Sequence, residues 1–231
     1  RNVWNAAPRS GGMNGSFGAS TGGNTILGRR IGYVLSGNYG YSEETRSDER
    51  FAVGNQGANN TVVPLTSVSG TTGRSSIQWG GIANFSKLIG KSSRVSLNTT
   101  ATRSADNEAR MDRGFDENLS DSIARTTLRY VERGVATVTG QGEHQLGDRN
   151  KTAWSATYAS TNRREPDRSD VVYSRGGDGK FSLLASLDGA RRLYFDLEET
   201  NNTAQLDHTI NIGNIANQNV LKVGAYYRTT S

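Results

Sequence analysis

Between residues 29 and 42 the chain reads RRIGYVLSGNYGYS, with Ile31, Tyr33, Leu35, Tyr39 and Tyr41 on odd positions and Gly32, Ser36, Asn38, Gly40 and Ser42 on even ones. Period-two alternation of this kind gives a strand one apolar and one polar face, because successive side chains point to opposite sides of a sheet. The run is long for a globular strand. It matches the roughly 9 to 11 tilted residues with which a strand crosses a bilayer, and the tyrosines near one end stand where an interfacial aromatic girdle is expected.

The same unit recurs along the chain. Met13, Phe17 and Ala19 alternate with Asn14, Ser16 and Ser20 before a Gly- and Asn-rich turn, TGGNTILG. Ile77, Trp79, Gly81, Ala83 and Phe85 alternate with Gln78, Gly80, Asn84 and Ser86; the short turn LIGKSS then leads to Val95, Leu97 and Ala101. The segment RTTLRYVERGVATVTGQGEHQL is less regular: Ala136, Val138 and Leu146 share one parity while Val131 and Val135 take the other, as a bulge or an outer projection would produce. After the turn GDRNK come Trp154, Ala156 and Tyr158, and later Leu206, Ile210 and Ile212. The turn GNIANQN precedes Leu221, Val223, Ala225 and Tyr227.

Polar, charged excursions separate these strands at every second connection: Glu43 to Gly73, Ala105 to about Ile123, and a third from near Arg163, whose end RRLYFDLEET extends the next strand. Outer-membrane barrels sort their connections in this way, with short turns on one side and long loops on the other. The expected fold is therefore all-β: an antiparallel transmembrane β-barrel segment of about eight long strands with alternating short turns and long loops. A soluble sandwich or solenoid has no reason to order its connections so. Composition agrees, since only 33% of residues are hydrophobic and Gly counts 28, too little apolar material for a large soluble core. A barrel with a wet interior needs no such core, which reconciles membrane strands with a mean hydropathy of -0.64.

No apolar run is long enough for a membrane helix, and the N-terminus lacks the apolar region of a signal peptide. Cysteine is absent, which excludes disulfides and thiolate metal sites. The net charge of +5 is scattered along the chain, which argues against nucleic acid as a partner. With more short connections than long ones, both ends of the chain fall on the outer side, so residues 1–231 are expected to form part of a larger barrel.

The segments RSSIQWGGIANFSKLIGKSSRVSLNTTATRSADNEAR, TLRYVERGVATVTGQGEHQLG and WSATYASTNRREPDRSDVVY resemble the early barrel strands of TonB-dependent receptors. The resemblance runs from about residue 11 onward and implies a place in the bacterial cell outer membrane. Members have barrels of about 22 strands filled by an N-terminal plug, and import siderophores, vitamins, oligosaccharides or peptides with energy passed on by TonB. The resemblance implies a partial TonB-dependent receptor β-barrel domain, roughly strands two to nine of such a barrel. The implied partners are outer-membrane lipid and lipopolysaccharide, a small-molecule or oligomeric ligand, and the TonB complex through a plug. Against that pattern, residues 1–231 are expected to hold the barrel part without a plug or TonB box, and they end in Ser231 where such barrels have an aromatic residue. No enzymatic reaction and no cofactor are expected. The alternatives are a non-transporting outer-membrane barrel, such as an adhesin or hydrolase, and a soluble all-β binding module.

Arg163, Arg164, Arg168 and Arg175 form a basic run in the third excursion, here expected to be an extracellular loop meeting phosphates or an anionic ligand, because guanidinium groups bind such oxygens bidentately. Asp167 and Asp170 lie among them, so a self-neutralising loop is the competing reading. Asp106, Glu108, Asp112, Asp116, Glu117 and Asp121 fall within 16 residues, but Arg110 and Arg113 interrupt them and the spacing departs from a calcium-binding loop, which favours a solvated surface. His144 and His208 are expected as wall side chains; no G-x-S-x-G elbow accompanies them. Tyr33, Tyr39, Tyr41, Trp79, Trp154, Tyr158 and Tyr227 are expected in lipid-facing or girdle positions.

Overall fold

A computed structural model describes residues 4–7, 9–25, 30–56, 61–119, 121–213 and 219–231. Parts of the TGGNTILG and GNIANQN turns lie outside the described residues. The strands are β1 (Gly15–Gly23), β2 (Gly32–Gln56), β3 (Val62–Ile89), β4 (Ser93–Asp116), β5 (Asp121–Leu146), β6 (Asn150–Arg175), the short β7 (Phe181–Leu183), β8 (Ala190–Asn211) and β9 (Val220–Thr230). They form one antiparallel sheet in which each long strand pairs with its neighbour in the chain, in the order β1-β2-β3-β4-β5-β6-β8-β9, while β7 pairs with β6. The eight expected strands are present. The sheet is open, with β1 and β9 as its edges.

Register shows why the alternating sequence folds this way. One row runs Gly23, Tyr33, Phe85, Leu97, Gly140, Ala156, Ala204, Tyr227 from edge to edge. Paired residues share a face, so the apolar parity of every strand adds to one belt. The adjacent row, Asn84, Asn98, Thr139, Thr157 and Thr203, lies on the opposite face and is polar. Large side chains of the belt stand exposed, among them Leu97 at 42%, Trp79 at 45% and Val223 at 60%. A contiguous exposed apolar face of this extent marks an interaction surface.

Two turns at one end of the sheet, residues 90–92 and 147–149, begin with Gly90 (φ 65) and Gly147 (φ 72), a backbone region that disfavours a side chain. At the opposite, far end the structure corrects the expected long loops. The excursions are themselves paired strand: β2 and β3 remain in register out to Gln56 and Val62, β4 and β5 out to Asp116 and Asp121. Beyond the belt β2 carries charged residues on both faces, while β4 keeps Ala105, Ala109, Met111 and Phe115 on one face against Asp106, Glu108, Arg110 and Asp112 on the other, and the backbone ladder continues through both. The arginine run is corrected with them, since Arg163, Arg164, Arg168 and Arg175 all lie on β6.

The irregular parity of β5 also has a specific cause. The step from Leu128 to Glu132 on β5 is matched by a step one residue longer on β6, from Ser169 to Arg164, so the extra residue belongs to β6. Pro166 sits inside this bulge, where its missing N–H removes no ladder hydrogen bond. Val131 breaks the apolar parity of β5 because it is buried on the polar face, at 1% exposure. On that same face, at the far end, Val68, Ile123 and Val172 form the small buried core, with Leu119 and Leu184 packed against it.

On the belt face Trp154 lies across Gly142 and donates its indole N–H to His144 Nε2 at 3.0 Å. A Cβ at Gly142 would fall 2.4 Å from that indole nitrogen. Gly142→Ala should therefore displace the ring and destabilise the fold by about 1 to 2 kcal/mol. In a background with Trp4 and Trp79 replaced by phenylalanine, this should be visible as a changed Trp154 emission and a lower denaturation midpoint.

Candidate functional site

The polar face changes character along the strands. Over the belt it carries hydroxyls and amides, whereas toward the far end β3, β4, β5 and β6 place charged residues at alternate positions on that face. Neighbours across and along the strands then pair by charge. Arg74 Nε donates to Glu108 at 3.0 Å, Arg133 to Asp106 at 2.7 Å, Arg110 Nε to both oxygens of Asp112 at 2.9 Å, and Arg129 Nε to Glu165 at 2.9 Å. Asp170 is contacted by Arg168 at 3.1 Å and Arg191 at 3.5 Å, and accepts a 2.8 Å hydrogen bond from Thr127. The acids are the buried members of these pairs: Asp112, Glu165 and Asp170 are 4 to 6% exposed. An uncompensated carboxylate could not stay ionised there, which is why each has an arginine within reach.

Above this network lies a cavity of about 620 Å³, walled by Glu108, Arg110, Asp112, Arg125, Arg129, Arg168, Asp170 and Arg191. Its apolar side is made by Val68, Leu119, Val172 and Leu184. A volume of this order suits a small ligand.

The four arginines singled out in the sequence do not converge. Arg163 and Arg168 lie on the polar face; Arg163 contacts Glu165 at 3.5 Å and stacks 5.1 Å over the Phe195 ring. Arg164 and Arg175 lie on the other face; Arg164 pairs with Asp196 at 3.4 Å, and Arg175 donates to the Gly179 carbonyl at 3.2 Å. Of the four, Arg168 alone lines the cavity. Arg110, Arg125 and Arg129 were not singled out, although their common parity with Asp106, Glu108 and Asp112 across two successive strands would have brought them together once the register was fixed.

The acidic segment does not close into a loop either. Asp106, Glu108, Asp112 and Asp116 stand on β4, Glu117 begins a 3-10 turn, and the side chain of Asp121 lies outside what is described. Among the described residues no group of three or more acidic or histidine side chains is arranged to hold a metal ion. His208 Nδ1 and Thr152 Oγ1 share a 2.9 Å hydrogen bond, and with His144 they occupy one row of the belt face.

Burial works against the charge of Asp106, but hydrogen bonds from Ser76 and Arg133 outweigh it and hold its carboxyl below the usual range. Hydrogen bonds from Glu165 and Asp112 raise Arg129 and Arg110 above the ordinary arginine value. The sign for Asp106 follows from a folded-state pKa below the unfolded one. Its contribution is complete above the ordinary carboxylate range and is lost as pH falls through the depressed folded value. Acidification should loosen β3, β4 and β5 around Asp106, and Asp106→Asn should flatten that dependence. Hydrogen exchange, corrected for intrinsic rates at each pH, checks both.

No protein-family model, curated protein or solved structure matches the chain.

Proposed function

We propose that this chain forms part of the wall of an outer-membrane β-barrel from a TonB-dependent receptor, whose intact form takes up a siderophore, vitamin, oligosaccharide or peptide. The observation that carries this reading is the belt. One face of all eight long strands is apolar at matched register while the other is mainly polar, and that combination suits lipid outside and water inside. The strands also continue past the belt at one end only, as extracellular extensions would, while the other end is closed by the turns at Gly90 and Gly147. The charged cavity then opens toward the outer medium, and lipopolysaccharide surrounds the belt's outer rim.

The chain has no cysteine, so a single one reports cleanly. Leu97→Cys, carrying an environment-sensitive fluorophore, should be quenched strongly by brominated lipid, and Asn98→Cys should be quenched weakly. Equal quenching at the two sites removes the membrane reading. The transport reading is tested separately in cells producing the intact protein, where removal of TonB should reduce uptake of the cognate ligand to that of cells lacking the receptor. Uptake that survives without TonB overturns it.

A further inference from the structure

The charged network at the far end claims every cavity arginine but one. Arg110 is held by Asp112, Arg129 by Glu165, Arg168 by Asp170, and Arg191 by Asp170 and Asp188. Arg125, half-buried near the start of β5, lies opposite Asp112 on one side and Val172 on the other. Both oxygens of Asp112 already face Arg110 Nε, and among the described residues Arg125 makes no ion pair. The cavity therefore holds one guanidinium that makes no ion pair among the described residues, beside an apolar floor of Val68, Val172, Leu119 and Leu184.

We propose that this cavity binds a small amphipathic monocarboxylate, with its carboxylate on the Arg125 guanidinium and its apolar body on the Val68–Val172 floor. Arginine presents two parallel N–H donors that match a carboxylate, and the floor supplies burial for an aromatic or aliphatic group. The charge of the ligand follows from the same wall. One guanidinium without an ion pair offsets one negative charge, and the second charge of a phosphate monoester would find no further unpaired cation among the described lining residues. The inference rests on the uptake reading only in making this ligand the cargo; binding itself stands on the cavity.

The test is calorimetric titration of the detergent-solubilised folded protein with 2-naphthoate, 2-naphthamide and 2-naphthyl phosphate, each corrected against empty micelles. Naphthoate should bind saturably, with the amide weaker by about tenfold or more because it lacks the charge-assisted contact, and the phosphate should also bind more weakly than naphthoate. Arg125→Met should lose naphthoate binding by the same factor, whereas Arg113→Met, exposed on the opposite face, should leave it unchanged. Equal affinity for acid and amide, tighter binding of the phosphate, undiminished binding by Arg125→Met or no saturable binding each overturn the proposal. The acid-to-amide comparison uses the unmodified protein, so it decides even if Arg125→Met fails to fold. Saturable naphthoate binding by a protein that brominated lipid does not quench would retain the site and remove the membrane reading; quenching without binding would do the reverse.

Discussion

Leu97→Arg should destabilise the protein folded into lipid vesicles by about 2 to 4 kcal/mol if the position lies near the bilayer midplane, while Asn98→Arg, one residue along the same strand, should cost much less. The two positions sit at the same depth and differ only in face. Leu97 lies in the belt between Phe85 and Gly140, and Asn98 lies between Asn84 and Thr139 on the polar side. Leu35→Arg and Asn38→Arg repeat the contrast on β2, where Leu35 is likewise in the belt. The cost arises on the apolar side because a guanidinium there must be taken from water into hydrocarbon, whereas on the polar side it remains hydrated. Denaturant titration of the four variants in vesicles measures the difference directly. Equal costs on both faces would show that lipid does not meet the belt.

The second large effect is expected at the far end. Asp170→Ala removes a carboxylate that is 6% exposed and serves Arg168, Arg191 and Thr127 together. Removing one partner from a buried ion pair leaves the other charge uncompensated, a loss of about 3 to 5 kcal/mol when both are fully buried. Here the arginine side chains remain 35% and 49% exposed, so water recovers part of it. An effect of about 2 to 3 kcal/mol is expected after that discount. Because Asp170 lies beyond the belt, the variant should lose protease resistance in β6 and β8 at the far end while hydrogen-exchange protection around Leu97 and Ala156 stays intact. Uniform loss of protection would mean that the sheet unfolds as one unit.

The parts of this architecture that were legible in the sequence are those where burial and strand geometry give the same signal. Residues 31–42, 77–86 and 95–102 alternate cleanly because one side of each is apolar, and their strands are where the alternation placed them. The same strands continue through Glu43–Gln56, where charged residues occupy both parities and alternation reveals little, and through Ala105–Asp116, where Ala105, Ala109, Met111 and Phe115 still alternate with Asp106, Glu108, Arg110 and Asp112 but the density of charge reads as an excursion. There the strand is maintained by backbone pairing and by cross-strand charge pairs such as Arg133 with Asp106, which are visible only after the register is known. Arg163 to Arg175 read as a loop because of its charges; Pro166 lies within it, but a bulge absorbs the proline and the strand resumes. The cavity was illegible for a related reason. Its walls come from β2 to β6, from β8 and from the segments around Leu119 and Leu184, and only the hydrogen-bonded alignment of the strands brings Arg125 beside Val172 and Asp112.

The connectivity of the sheet also constrains how such a wall can lengthen or shorten in evolution. Every long strand lies beside its predecessor and runs in the opposite direction, so strands of alternate rank point the same way. Deleting a single strand would reverse the direction of everything after it, and would move the charged far ends of the later strands to the side now occupied by the glycine turns. Deleting or duplicating two consecutive strands preserves the polarity of all the others. The unit of inheritance in this fold is therefore the hairpin, and changes in the size of the wall are expected to come in even steps.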